Sequence, residues 1–459
     1  MTHTAVAIAP DAFEIRGVIE GFYGNPWTQH QRLDMMSFVA QCGMNLFVYS
    51  PKDDALLRDQ WAEPFDSASL EDLSALLAHA NSCGLGLAVA ISPGLSMRYS
   101  SSDDRVALVK KFEMLANLGI TSFGLFFDDI PGTLQWPEDQ AAFSSLAHAH
   151  REVSTHIWDA LQSFGGTQLM VCPTTYWGDG QESYLEQFCQ GLDPQIDVMW
   201  TGRSICSATL EASDALIFAE TTGRKPLYWD NFPVNDVAMK HELHIGPYER
   251  REPALWEASR GIIANAMEFA EASKIPLYTI AEFLRDPHHY DSEASWNRGI
   301  DLVAGNHDDA QAVRAFAENS RSSCLSLSDA EPLNDALAAL ELSFLSHDYE
   351  LGARAVAELA TRYEQAAGHL LSQQMTNKQL VLDMRGWLDS FELGAQLLRH
   401  LATLAAKRQW ETSRVKELET YITRMQKLGK RVFADSLEMA VEHLQRSKET
   451  FTTTNRKGA

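Results

Sequence analysis

Eight short apolar runs, each closing on polar residues and followed by a helix-like stretch, recur between residues 15 and 266. They are IRGVIEGF (15–22), NLFVYS (45–50), LGLAVAIS (85–92), SFGLFF (122–127), QLMVCP (168–173), DVMWTG (197–202), PLYWDN (226–231) and GIIANA (261–266). Their spacing of roughly 30 to 45 residues suits a strand plus a crossover helix. Several runs are apolar on consecutive positions, as strands must be when both faces of a sheet are covered. Eight such units predict a (β/α)8 barrel, an α/β fold, over residues 14–295. An open doubly wound sheet is the alternative, but no run is followed by G-x-G-x-x-G or a phosphate loop.

Beyond residue 300 the strand-like runs stop. EPLNDALAALELSFL, YELGARAVAELATRYEQAAGHLL and SRVKELETYITRMQKLGKRVFADSLEMAVEHLQ carry apolar residues at i, i+3/i+4 and i+7. They predict an all-helical C-terminal domain over 300–450 whose apolar stripes are helix-to-helix core. Residues 1–13 are expected to be flexible and 451–459 to fray.

With 459 residues, 45% of them hydrophobic, the chain can bury a barrel and a second domain. Its net charge of -24 repels phosphate backbones and anionic membranes, so neither nucleic acid nor membrane is expected as a partner. The start MTHTAVAIAPDAFEIRG has no basic segment ahead of a long apolar one, and no stretch approaches about eighteen apolar residues. The reading is a soluble, cytoplasmic protein. Six cysteines are scattered without C-x-x-C pairs or a histidine ladder, which argues for reduced thiols over zinc or disulfides. No metal and no organic cofactor are expected. A homodimer through the helical domain is the partner expectation.

In a barrel, chemistry gathers at the C-terminal ends of the strands. Those positions hold Glu20-Gly21-Phe22-Tyr23, Ser50-Pro51-Lys52-Asp53-Asp54, Asp128-Asp129, Thr174-Thr175-Tyr176-Trp177, Trp229-Asp230-Asn231 and Asn265. Aromatic rings beside carboxylates and amides suit a sugar, stacking on its C–H faces and taking its hydroxyls. Asp128-Asp129 follows the run Phe123 to Phe127, so two carboxyls would stand at the rim of a low-dielectric interior. Such a pair is driven towards different protonation states, the acid-and-base pairing that glycoside hydrolysis needs. Each residue also has a plainer reading: helix cap, turn or half of a hard-cation site for Asp128-Asp129, snorkelling surface cation for Lys52, turn for Glu20 and Gly21, cap for Asn265. Trp200 and Tyr228 are read as barrel filling, and His241, His244, His288 and His289 as ordinary histidines without metal-ligand spacing.

GVIEGFYGNPWT, YSPKDD, AISPGL, FGLFFDDI, CPTTYWG, DVMWTG and WDNFPVND, in this order, resemble glycoside hydrolase family 84 over residues 14–267. That family includes protein O-GlcNAcases and bacterial β-N-acetylglucosaminidases once called hyaluronidases. The resemblance implies an exo-acting enzyme in which the sugar's own 2-acetamido carbonyl attacks C1 to give an oxazoline, with retention. Asp128 then matches the residue that accepts the acetamido N–H, and Asp129 the general acid and base. Asp236 matches the carboxylate that holds O4 and O6, which would exclude a substrate extended at O4. Gly21 offers a carbonyl; Lys52 and Asn265 match hydroxyl ligands. Asn231 and Tyr176 match positions framing the acetamido group, and Trp229 the wall of the methyl pocket. The residue after Asn265 is Ala266, where the family pattern leads one to expect proline. The implied substrate carries terminal N-acetylglucosamine, including O-linked GlcNAc on Ser or Thr. Alternatives are a chitin- or peptidoglycan-fragment glucosaminidase, a hyaluronidase, disfavoured by like charge, or a non-catalytic sugar-binding barrel, which should have lost one carboxylate.

Overall fold

The eight apolar runs become eight parallel strands: β1 (Ile15–Glu20), β2 (Leu46–Tyr49), β3 (Gly86–Ile91), β4 (Ser122–Phe126), β5 (Gln168–Cys172), β6 (Asp197–Trp200), β7 (Leu227–Asp230) and β8 (Gly261–Asn265). Each pairs with the next, and β8 returns to β1 with Gly261 opposite Ile15 and Asn265 opposite Ile19, closing the barrel. The structure, a computed structural model, describes residues 6–442 except 322, 324, 326, 327, 347, 348 and 408–411.

Alternate residues of the strands meet as one buried cluster that includes Ile19, Val48, Ala90, Phe126, Met170, Met199, Trp229 and Ile263. Small residues on β3 leave room for the Phe126 and Trp229 rings, whose centroids lie 5.4 Å apart. The intervening residues face the helices, which is why both faces of these strands are apolar. Trp200 and Tyr228 belong to that outer layer: Trp200 stacks on Phe218 at 5.1 Å, and Tyr228 lies 5.8 Å from it. The barrel-filling role expected for this pair is thus corrected, because Met199 and Leu227 take the inner cluster.

The helices α1 (Gln29–Gln41), α2 (Ser67–Cys83), α3 (Ser102–Asn117), α4 (Pro137–Ala142), α5 (Leu146–Ser163), α6 (Ser183–Cys189), α7 (Ala212–Thr222), α8 (Leu255–Ala258) and α9 (Ala270–Arg285) follow the strands. Polar caps start several of them. Thr28 and Gln31 form a reciprocal capping box on α1, and Asp66, Ser101 and Ser145 cap α2, α3 and α5. The β7-to-β8 connection departs from a helix in every gap, since it holds only a short 3-10 turn and the four-residue α8. At the other end of the chain, the expectation of a flexible start is corrected from residue 9 onwards. Ala9 and Phe13 donate main-chain hydrogen bonds to Arg285 and Leu284, and the Phe13 ring is fully buried. Residues 451–459 lie outside the described residues.

The contacts divide the chain into two units, one of Met1–Val237 with Tyr248–Ser295 and one of Ala238–Pro247 with Trp296–Ala459. After α10 (Ser292–Ala304), the second unit holds α11 (His307–Ala317), α12 (Glu331–Ser346), α13 (Tyr349–Leu370), α14 (Lys378–Lys407) and α15 (Thr412–Leu428). Its centre is aromatic: Phe391 lies 5.1 Å from Tyr363 and 5.5 Å from both Phe316 and Phe433. The short segment Ala238–Pro247 is held by this unit's own residues. The His241 carbonyl accepts from the Trp387 indole and the Arg431 main chain, and the Ile245 carbonyl from the Trp296 indole at 2.7 Å. Among the described residues no helix is long and apolar enough to cross a membrane.

Candidate active site

Every residue singled out from the sequence lies at or beyond the C-terminal end of a strand, and contacts join all nine into one network. Its floor is made of amides. The Gly21 main-chain N–H donates to Asn265 Oδ1 at 3.2 Å, Asn265 Nδ2 donates to Asn231 Oδ1 at 2.9 Å, and the Trp229 indole donates to the same oxygen at 2.9 Å. Asn231 Nδ2 in turn donates to the Ile205 carbonyl at 2.8 Å. Each amide is fixed by bonds at both ends, so its orientation is set before a ligand arrives. Position 21 tolerates only glycine, since an added Cβ would lie 2.7 Å from the Trp229 ring. The end of β7 is secured from outside by a buried pair: Arg251 donates to both Asp230 oxygens, at 2.8 and 2.9 Å, and Tyr248 Oη donates at 2.6 Å.

Asp128 and Asp129 are adjacent in sequence but held quite differently. The Lys52 ammonium, 5.2 Å from the Trp229 ring centroid, forms a buried ion pair with Asp128 Oδ2. Asp128 Oδ1 is buried without any hydrogen-bond partner. An unpaired buried acceptor costs about 1–3 kcal/mol, which a ligand N–H would recover. Asp129 takes a left-handed backbone, φ +52°, rare for a residue with a side chain and tolerated best by Asp and Asn. This break turns its carboxyl away from the strand to two phenols, with Tyr176 Oη donating to Oδ1 and Tyr23 Oη donating to Oδ2, both at 2.7 Å. Burial first, and the Asp129 charge with it, raises the pKa of both phenols, so each remains a proton-bearing donor.

Asp236, half-buried, accepts the Tyr23 main-chain N–H at 2.8 Å. Its pKa is raised, chiefly by burial and then by the Asp129 charge, against the pull of that N–H and of Lys52. Ala266 stands where a proline was expected and donates its N–H to the Ile19 carbonyl at 3.3 Å, a bond proline could not make. Asn265 keeps its place in the amide floor. Glu20 is fully buried and binds Arg32 with both oxygens and the Trp27 N–H, the turn-bracing role weighed for it. Two residues of the network were not singled out as ligands, Tyr23 and Arg58, the latter donating to Tyr23 Oη at 2.7 Å. Among the described residues, no group of three or more His, Cys, Asp or Glu is placed to hold a metal ion.

The likeness to known proteins extends over the whole barrel. The chain is 30% identical over 309 residues to protein O-GlcNAcases of Rattus norvegicus and Mus musculus. That stretch is 66% of this chain, which spans only 33% of the length of those relatives. An O-GlcNAc hydrolase variant of Thermobaculum terrenum has a solved structure that superimposes with a TM-score of 0.88 at 32% identity, covering 97% of both chains. The beta-N-acetylglucosaminidase profile matches residues 16–318, and the chain belongs to that family, glycoside hydrolase family 84.

Proposed function

We propose that the protein is a retaining exo-β-N-acetylglucosaminidase that works by substrate-assisted hydrolysis and removes O-linked GlcNAc from Ser and Thr of proteins. The observation that carries this reading is the buried, unpartnered Oδ1 of Asp128 beside an oxygen fixed by Lys52. A carboxylate held in this way has one acceptor left, and the N–H of a 2-acetamido group satisfies it. The acetamido carbonyl is then turned towards C1. It forms the new C1–O bond as the glycosidic bond breaks, while Asp129 gives its proton to the leaving oxygen. Positive charge growing on the oxazolinium nitrogen is stabilised by Asp128 across the shared N–H. Asp129, now ionised, takes a proton from the water that reopens the ring, giving retention without an enzyme nucleophile.

In this reading Asp236 holds O4 and O6, and Gly21, Lys52 and Asn265 take further sugar groups. Tyr176 and Asn231 frame the acetamido group, and Trp229 walls its methyl. No cofactor enters the mechanism. The names of the rodent and Thermobaculum relatives support a protein-linked aglycone. We assign the enzyme to the cytoplasm, where the thiols of Cys42, Cys172 and Cys189 stay reduced. A homodimer through the helical unit completes the reading; Leu351 and Leu382 expose apolar surface there, and light scattering tests it.

Electronics test the mechanism. Fluorines on the acetyl methyl make the carbonyl a poorer nucleophile, so the rate on an aryl glycoside should fall progressively from acetyl to trifluoroacetyl, and Asp128→Asn should flatten that slope. A flat series in the unmodified enzyme, or a glycosyl ester trapped on Asp128, overturns the reading. Catalytic efficiency on an O-GlcNAc peptide compared with chitobiose decides the aglycone.

A further inference from the structure

We propose that Tyr23 and Arg58 form a positioning pair that aims and steadies the Asp129 carboxyl for proton transfer, an inference that rests on Asp129 being the acid and base. Arg58, buried in the loop after β2, donates to Tyr23 Oη at 2.7 Å and lies 5.2 Å from the centroid of its ring. A phenol has one proton and two lone pairs, and a guanidinium can only donate. With Arg58 on the oxygen, the Tyr23 proton is directed onto Asp129 Oδ2, where the bond is 2.7 Å. Burial keeps that phenol protonated.

Tyr176 holds the other oxygen, so the carboxyl plane is defined by two donors from different loops. When Asp129 gives up its proton to the leaving oxygen, both bonds become charge-assisted, and Arg58 strengthens the one from Tyr23 by polarising it. The pair therefore acts in the step where the glycosidic oxygen needs a proton. Tyr23 also gives its main-chain N–H to Asp236, a bond that loss of the hydroxyl leaves intact.

The experiment is a series of aryl N-acetyl-β-glucosaminides of graded leaving-group acidity, assayed with Tyr23→Phe, Arg58→Met, Arg58→Lys and Asp129→Ala. Expected is a fall in kcat of about tenfold to a hundredfold for the poorest leaving groups, shrinking steadily towards the best, with KM within about twofold. Arg58→Lys, which restores a cationic donor, should recover part of the loss; if Arg58→Met does not fold, the Lys variant's own leaving-group slope decides. In the Asp129→Ala background, Tyr23→Phe should cost nothing further. Equal losses for all leaving groups, or an undiminished loss in the Asp129→Ala background, mark a bracing role for the loop and overturn the inference. If Asp129→Ala itself shows no leaving-group dependence, the assignment of Asp129 fails and the inference falls with it.

Discussion

Burial and the Asp129 charge raise the pKa of Asp236 from its ordinary value even though the Tyr23 N–H and Lys52 oppose them. A carboxyl with a raised native pKa binds its proton more readily in the fold than in the unfolded chain. Its stabilising contribution is therefore present below the unfolded value, about pH 4, and is lost as pH rises through the native one. At neutral pH the charged Asp236 is a burden on the fold. Asp236→Asn keeps an acceptor for Tyr23, so it should raise the midpoint of thermal unfolding at pH 7, with the gain vanishing as the pH falls through the carboxylate range. The same change should lower kcat/KM at least about tenfold, the scale of one charged hydrogen bond. A midpoint that is unchanged or lower at pH 7 contradicts the argument. Gly21, Lys52, Asp128, Asp129, Tyr176, Trp229, Asn231 and Asn265 stood out because a barrel gathers its polar side chains at the strand ends, whereas Asp236, six residues beyond β7, was named only through the family resemblance. Tyr23 and Arg58 were not singled out, for a phenol in GFYGNPW gives no sign that it meets a carboxylate 106 positions later, and ALLRDQW reads as an ordinary surface loop.

All eight strands end one or two residues short of the end of the apolar run that announced them, since the closing residues leave the ladder to enter the site loops; Phe127, for example, closes its run beyond β4 and leads directly into Asp128. The helices were less legible. The long apolar stretch from 413 breaks after Leu428, because Phe433 turns in to the Phe391 and Tyr363 rings, and the thirty-residue α14 was not singled out at all. Periodicity alone does not reveal where a helix must stop to bury a ring. Closure of the barrel depends on one position that composition hides. Gly261 has φ +143°, and a Cβ there would lie 2.2 Å from the Ile15 carbonyl oxygen in the neighbouring strand. Gly261→Ala should destabilise the fold by about 3 kcal/mol or more, through backbone strain and a clash with main chain that has no room to yield. Denaturant unfolding measures it, and a loss below about 1 kcal/mol shows that the β1–β8 seam adapts.

The two units are not consecutive pieces of chain. Ala238–Pro247, which begins two residues after Asp236, belongs with the helices, and its Leu243, His244 and Ile245 are buried. A fragment ending at residue 295 would lack Trp296, Trp387 and Arg431, whose indole and main-chain N–H groups hold the His241 and Ile245 carbonyls. Such a fragment should aggregate or lose most of its activity, whereas replacing Ala238–Pro247 with a short Gly/Ser linker in the same fragment should improve its solubility. Size-exclusion elution and specific activity of the two fragments check this, and a soluble, fully active 1–295 chain refutes it. The ten-residue excursion also bears on how such enzymes are inherited. A recombination event that transplanted the barrel by itself would carry along a loop fitted to helices left behind, and one that transplanted the helices would leave them without a piece of their own interior. Selection then acts on the two as a single heritable block, and substitutions lining that loop should travel with their helical partners from one lineage to the next.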